Sequence, residues 1–185
     1  MMKEKHIRLP LNEETILSLK AGDTVFLSGT MITGRDAAHN RLFDCLSRGE
    51  TCPIELKGEV IYYVGPAPAK PGHAVGSAGP TSSYRMDAYA PVLLDYGLKG
   101  MIGKGDRSPE VIDAIIRNKA IYFVAIGGLG ATISKSILKS ETLCYEDLGT
   151  EAIQRFWVKD FPAIVVIDAF GNNLYHQEQA KYKSI

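Results

Sequence analysis

The 185-residue sequence has no excess of either charge, with 21 Lys and Arg against 21 Asp and Glu. Chains that hold nucleic acid or an acidic membrane by bulk electrostatics are basic, so the balance disfavours both partners. Cysteine is scarce: Cys45, Cys52 and Cys144 make an odd count without CxxC spacing. Such thiols read by default as reduced, small apolar residues of an intracellular chain, with a redox or metal role as the alternative. Long hydrophobic runs are missing too. The longest uncharged apolar stretch, Ala120 to Ser134, is interrupted by Gly127, Gly128 and Gly130 and is too short to span a bilayer. Met1-Met2-Lys3-Glu4-Lys5-His6 leads into no apolar signal core, and a soluble, cytoplasmic protein is expected.

Named motifs are absent as well. Gly128-x-Gly130 has Ile133 where a dinucleotide fingerprint needs its third glycine, and no GxxxxGK[ST] occurs. Val75-Gly76-Ser77-Ala78-Gly79 is one residue out of step with the GxSxG elbow of hydrolases. No Asp or Glu lies between Glu59 and Asp87, so the long loop within that stretch offers no acidic metal site.

What is present describes one folded domain over residues 1–185. The composition, 45% hydrophobic and 23% charged, is not that of a disordered chain, and a chain of this size buries roughly 70% of its surface on folding. Strands are expected at Ile7–Leu9, Thr24–Ser28, Val60–Val64, Gly100–Gly103, Ala120–Ile126 and Ala163–Ile167. Helices are expected from Asn12, from Asp36, over Met86–Tyr96 with Pro91 inside it, and over Ser108-Pro109 to Asn118. Gly29–Gly34 and Gly65–Ser83 read as loops, and Gly171-Asn172-Asn173-Leu174-Tyr175 as a turn into a last strand. The alternation gives an α/β protein, a mixed sheet flanked by helices.

Three segments place small residues between a strand and a helix start: Ser28 to Arg35, Gly76 to Arg85, and Gly127 to Thr132. Free N–H groups at such junctions favour anions, and glycine admits a ligand close to the backbone. Arg35, Arg85 and Lys104 are the candidate cations, suited together to a ligand with two carboxylates. Thr81, Ser82 and Ser83 are candidates for binding substrate, capping a helix or serving as a base. His39, in the helix after the first loop, reads either as a solvent-facing residue or as a proton carrier near neutral pH.

Gly29-Thr30-Met31-Ile32-Thr33-Gly34-Arg35-Asp36-Ala37-Ala38-His39, then Tyr63-Val64-Gly65-Pro66-Ala67-Pro68, then Gly76 to Asp87 resemble the β subunit of iron–sulfur hydro-lyases, the class I fumarases and L-tartrate dehydratases. Met101 to Gly105, Gly127 to Ala131 and Phe161-Pro162-Ala163 resemble the same family's later motifs, although Asn40 stands where the family typically has a basic residue. The resemblance implies a swivelling β/β/α domain. It implies reversible hydration of fumarate to L-malate, or dehydration of tartrate to oxaloacetate. A 4Fe-4S cluster is expected on a partner α subunit, in a heterodimer or α2β2 assembly, and no metal on this chain. By the same resemblance Arg35, Arg85 and Lys104 hold the carboxylates of a C4 dicarboxylate, Thr81 is the base at carbon, and His39 is a supporting or proton-handling residue. A non-catalytic dicarboxylate-binding module is the competing reading from another class.

Overall fold

The computed structural model describes residues 4–125 and 130–182. Its strands are β1 (Lys5–Arg8), β2 (Thr24–Thr33), β3 (Val60–Tyr62), β4 (Gly100–Gly103), β5 (Ile121–Val124), β6 (Ile137–Cys144) and β7 (Ile153–Ile167). The helices are α1 (Glu13–Ser18), α2 (Asp36–Ser47), α3 (Ala90–Asp95), α4 (Pro109–Asn118), α5 (Gly130–Ser134) and α6 (Leu174–Tyr182), with 3-10 turns at Ser83–Met86 and Glu146–Glu151.

The strands lie in the order β1-β2-β3-β4-β5-β7-β6, and a further β2–β7 pairing closes β2, β3, β4, β5 and β7 into a five-stranded barrel. β1 through β5 pair in parallel, whereas β7 runs antiparallel to β2, β5 and β6. The two-residue period of the strands sorts their side chains into two cores. Val25, Leu27, Met31, Val60, Tyr62, Ile102, Ile121, Phe123, Phe156, Phe161 and Val165 share one apolar cluster drawn from all five barrel strands, which is the barrel interior. Ile32, Ile61, Met101, Tyr122 and Val166 point the other way and pack with Leu42 of α2, Leu93 of α3 and Ile115 of α4.

Local chemistry explains most boundaries. The Asn12 side chain accepts from Thr15 N at 2.8 Å and starts α1. Pro109 occupies the first turn of α4, where a missing N–H leaves nothing unpaired. Among the described residues, no helix is long and apolar enough to cross a membrane.

Four expectations need correction. Gly29–Gly34 is no loop through Thr33, because Thr30, Met31 and Ile32 continue β2 against Trp157, Phe156 and Arg155. Gly29 instead marks a register shift at φ 131°, where a Cβ would sit 2.6 Å from the Leu9 carbonyl oxygen. Met86–Tyr96 is not one helix: a 3-10 turn ends at Met86 and α3 starts at Ala90, with Pro91 in its first turn. The chain after Gly171 turns into α6, not a strand; the Asn173 side chain accepts from Tyr175 N at 2.9 Å and caps it. Ala163–Ile167 is only the end of a 15-residue β7. Pro162 is tolerated there because residues 161–163 have a ladder partner, β2, on one side alone.

Candidate functional site

β2, β3, β4 and β5 run parallel, so their C-terminal ends open at one end of the barrel, the usual ligand-facing edge of such sheets. The residues leaving them are Gly34-Arg35, Tyr63, Lys104 and Ala125. The long 63–82 excursion returns to the same edge. Thr81 N–H donates to the Tyr63 carbonyl at 2.7 Å, and Ser83 N–H to the Lys104 carbonyl at 2.9 Å. Ser82 bridges Lys104 in parallel. The 81–83 segment thus acts as an added rung across β3 and β4, and Arg85 follows it within the 3-10 turn.

This rung is fixed from below. Lys104 N–H donates to Ser83 Oγ at 3.1 Å, and the Tyr122 hydroxyl lies 2.8 Å from Ser83 Oγ and 2.7 Å from the Gly105 carbonyl. A phenol has one hydrogen and a carbonyl only accepts, so Tyr122 donates to Gly105 and Ser83 donates to Tyr122. The chain of bonds begins at Lys104 N and ends on Gly105 O. It needs glycine at 103, where a Cβ would fall 2.0 Å from Ser83 Oγ.

Behind it lies Arg107, its side chain fully buried. Its Nε donates to Asp87 Oδ1 at 2.7 Å, its Nη2 donates to the Tyr63 hydroxyl at 3.3 Å, and its guanidinium lies 5.4 and 4.9 Å from the rings of Tyr63 and Tyr122. Asp87 also accepts from Ser108 N at 2.7 Å, tying the rung to the start of α4. Such a buried cation is tolerable only with this degree of pairing.

The candidate cations are placed as follows. Arg85 grips Asp36 with Nε at 2.8 Å from Oδ1 and Nη2 at 2.7 Å from Oδ2. Arg35 Nε lies 3.9 Å from the same Oδ2, and its Nη2 lies 3.4 Å from Glu151 Oε1. Glu151 also accepts from Ala37 N at 3.1 Å, at the start of α2. The Arg35 guanidinium rests on Gly65, where a Cβ would come 2.9 Å from Nη1. Lys104 is exposed, and its ammonium has no partner among the described residues. Arg35 and Arg85 therefore converge on one carboxylate, while Lys104 joins them through the backbone of the rung. Thr81 is half-buried on that rung.

His39 is not on the surface of α2: it is fully buried. Its Nδ1 lies 2.8 Å from the Arg35 carbonyl, to which it must donate, leaving Nε2 the bare nitrogen without a partner. Tyr63 packs edge-on against the ring at 5.2 Å. Burial pushes the imidazole pKa down to about 4, so it is neutral at pH 7.

Several N–H groups of the glycine-rich segments are already taken. Gly34 N donates to Tyr62 O, Gly76 N to Ala67 O and Ala78 N to Gly130 O. Glycine there serves close packing: a Cβ at Gly76 would sit 2.5 Å from Pro68 O, and one at Gly130 would sit 2.6 Å from Ser77 Oγ. Gly127, Gly128 and Leu129 lie outside the described residues. Sequence reasoning missed Glu151, Arg107 and Tyr122 and read Asp36 as a helix start.

The cysteines are free and partly buried. Burial raises the thiol pKa of Cys52 and pushes that of Cys144 up to about 11. Among the described residues no group of three His, Cys, Asp or Glu is arranged to hold a metal ion.

Fold and site together define a mixed α/β barrel domain whose parallel strand ends carry clustered cations. A family profile described as Fumarase C-terminus matches residues 1–178, and the chain belongs to that family. It is 42% identical over 156 residues to "Fumarate hydratase class I, aerobic" of Salmonella typhimurium, covering 83% of this chain and 27% of that protein. It is 39% identical over 161 residues to "Fumarate hydratase 2" of Leishmania major, covering 86% and 28%. A Methanocaldococcus jannaschii chain named "Putative L(+)-tartrate dehydratase subunit beta" is 30% identical over 177 residues, covering 92% of this chain and 91% of that one. The chain thus spans little more than a quarter of the two fumarate hydratases and nearly all of the last relative.

Proposed function

We propose that this chain is the β-type component of an iron–sulfur hydro-lyase that hydrates fumarate reversibly to L-malate, supplying the cationic half of the active site. The observation that carries this reading is the convergence of Arg35 and Arg85 on one carboxylate, beside a rung that also fixes Lys104. Among the described residues no group of three His, Cys, Asp or Glu is arranged to hold a metal ion, and the 4Fe-4S cluster is assigned to a second, α-type subunit, in a heterodimer or α2β2 assembly. The barrel is read as the swivelling β/β/α domain, a compact body that presents one edge to that subunit.

In this reading Arg35, Arg85 and Lys104 bind the two carboxylates of the C4 acid. As malate loses its C3 proton, negative charge builds on the adjacent carboxylate, and the same cations stabilise it. Thr81 takes that proton. A threonine hydroxyl is a weak base, and only neighbouring cations make its deprotonated form accessible. His39 supports the site as a neutral group that holds the Arg35 carbonyl, in preference to carrying protons.

Dehydration of L-tartrate to oxaloacetate is the second reading. It is favoured by the relative named as a tartrate dehydratase subunit, which this chain matches over 91% of its length. Anaerobic reconstitution with a cluster-bearing α-type subunit, assayed with fumarate, L-malate and L-tartrate, tests both. The complex is expected to hydrate fumarate and each subunit alone to be inactive. Full activity of this chain alone would overturn the division of labour, and a complex that binds dicarboxylates without turnover would make the chain a binding module.

A further inference from the structure

Asp36 stands between two guanidiniums that arrive from different loops, and its place in their geometry gives it a role of its own. We propose that Asp36 is a positioning residue that holds Arg85 by one edge of its guanidinium, so that the opposite edge faces the dicarboxylate. The inference rests on the reading of Arg35, Arg85 and Lys104 as the carboxylate-binding cations.

A guanidinium is a plane of five N–H groups with two edges, each able to grip a carboxylate with two parallel bonds. Arg85 gives Asp36 its side edge: Nε at 2.8 Å from Oδ1 and Nη2 at 2.7 Å from Oδ2. Its end edge, Nη1 and the second hydrogen of Nη2, has no partner among the described residues. The side chain is 40% exposed, so that edge is within reach of a small anion. Asp36 itself is well anchored. It is the first residue of α2, where a negative charge is favoured by the helix N-terminus, and its short side chain has little freedom to lose on being held. Arg35 Nε, 3.9 Å from Oδ2, is too distant for a hydrogen bond but within reach of the charge, and Glu151 holds the far side of Arg35.

The alternative role for Asp36 is that of a competing anion filling the substrate's place. The two roles differ in sign. Three cations and two carboxylates leave this edge with one net positive charge, so removing a mere competitor would strengthen dicarboxylate binding. Removing a positioning group would weaken it. The side-edge geometry favours positioning, because it leaves vacant the edge that a substrate carboxylate would take.

The test is a double-mutant cycle between Asp36→Asn and Arg85→Lys in the complex with the cluster-bearing subunit. It reads the dissociation constant of L-malate and the split between kcat and KM, with melting temperature as the control. Asp36→Asn keeps the size of the side chain but offers one acceptor, and it is expected to weaken L-malate about tenfold or more. On the Arg85→Lys background the same substitution is expected to change affinity by less than about twofold, since the group it acts through is already gone. Asp36→Glu keeps the charge at the helix start, moves the fork by one methylene, and is expected to fall between the two. Tighter binding by Asp36→Asn, or an equal loss on both backgrounds, overturns the positioning role while leaving the site reading intact. A wild-type complex that binds neither L-malate, fumarate nor L-tartrate overturns the site reading, and this inference with it.

Discussion

Arg85 and Asp36 are 40% and 33% exposed, and ion pairs so wetted contribute about 0–1 kcal/mol to stability. Their importance lies in direction. Arg85→Lys keeps the charge but replaces a planar fork with a point charge. It is expected to leave the melting temperature nearly unchanged and to raise KM for the dicarboxylate about tenfold or more in the reconstituted complex; an unchanged KM would show that Arg85 does not bind substrate. His39 is the reverse case, a residue whose setting matters for stability. Its folded pKa of about 4 lies below the unfolded value near 6.5, so the unfolded chain takes up the proton first. Stability is full above about pH 6.5 and falls as pH drops towards 4, by about 2 kcal/mol at pH 5. Urea unfolding at pH 7 and pH 5 should show this loss, and His39→Gln should remove most of the pH dependence. The cations were legible in the sequence because Arg and Lys stood out in small-residue segments. The burial of His39 was not, since a helical periodicity of Ala38, Leu42 and Leu46 says nothing of what covers the flank.

At the scale of elements, β4 and the 81–85 rung are fitted to each other with no room for a methyl group. Gly103→Ala would place its Cβ 2.0 Å from Ser83 Oγ and 2.8 Å from the Tyr63 ring. Neither neighbour is a free chain end, because Ser83 is bonded to Tyr122 and Tyr63 is packed against Arg107 and His39. The substitution is expected to cost about 1–3 kcal/mol or more in denaturant unfolding. It should also weaken dicarboxylate binding beyond what a remote core change of equal cost does, because the rung that carries Thr81 and Arg85 must shift. Equal losses of affinity in the two variants would detach the rung from the site. Short helices with capping residues, α1 and α4, and the apolar strands β4 and β5 were readable because local chemistry dictates them. β6 and most of β7 were not: β6 runs through Lys139, Ser140, Glu141 and Thr142 on an exposed sheet edge, and its pairing is decided by a separate strand, from Ile137↔Val158 to Cys144↔Ile153. The closing β2–β7 contact, from Thr24↔Ile164 to Ile32↔Arg155, is long-range and leaves no mark in either segment alone.

For the molecule as a whole, the arrangement implies a preformed binding edge on a stable barrel. The β2–β7 pairing leaves every barrel strand with a partner on both sides, so the barrel amides should exchange only through global unfolding. β1 and β6, each with one neighbour, and α6 should exchange earlier. The discriminating amides are those of Thr81 and Ser83. They lie outside every strand, in a connection of some twenty residues that would ordinarily exchange fast. Yet they donate to Tyr63 O and Lys104 O at 2.7 and 2.9 Å, at the ends of two barrel strands. Native-state hydrogen exchange of the chain alone should therefore protect both to nearly the barrel's level, while the amides of Lys70 and Gly72 exchange as an open loop. If Thr81 and Ser83 instead exchange with that loop, the cations are assembled only when the second subunit docks, and the site is induced by the partner rather than presented to it.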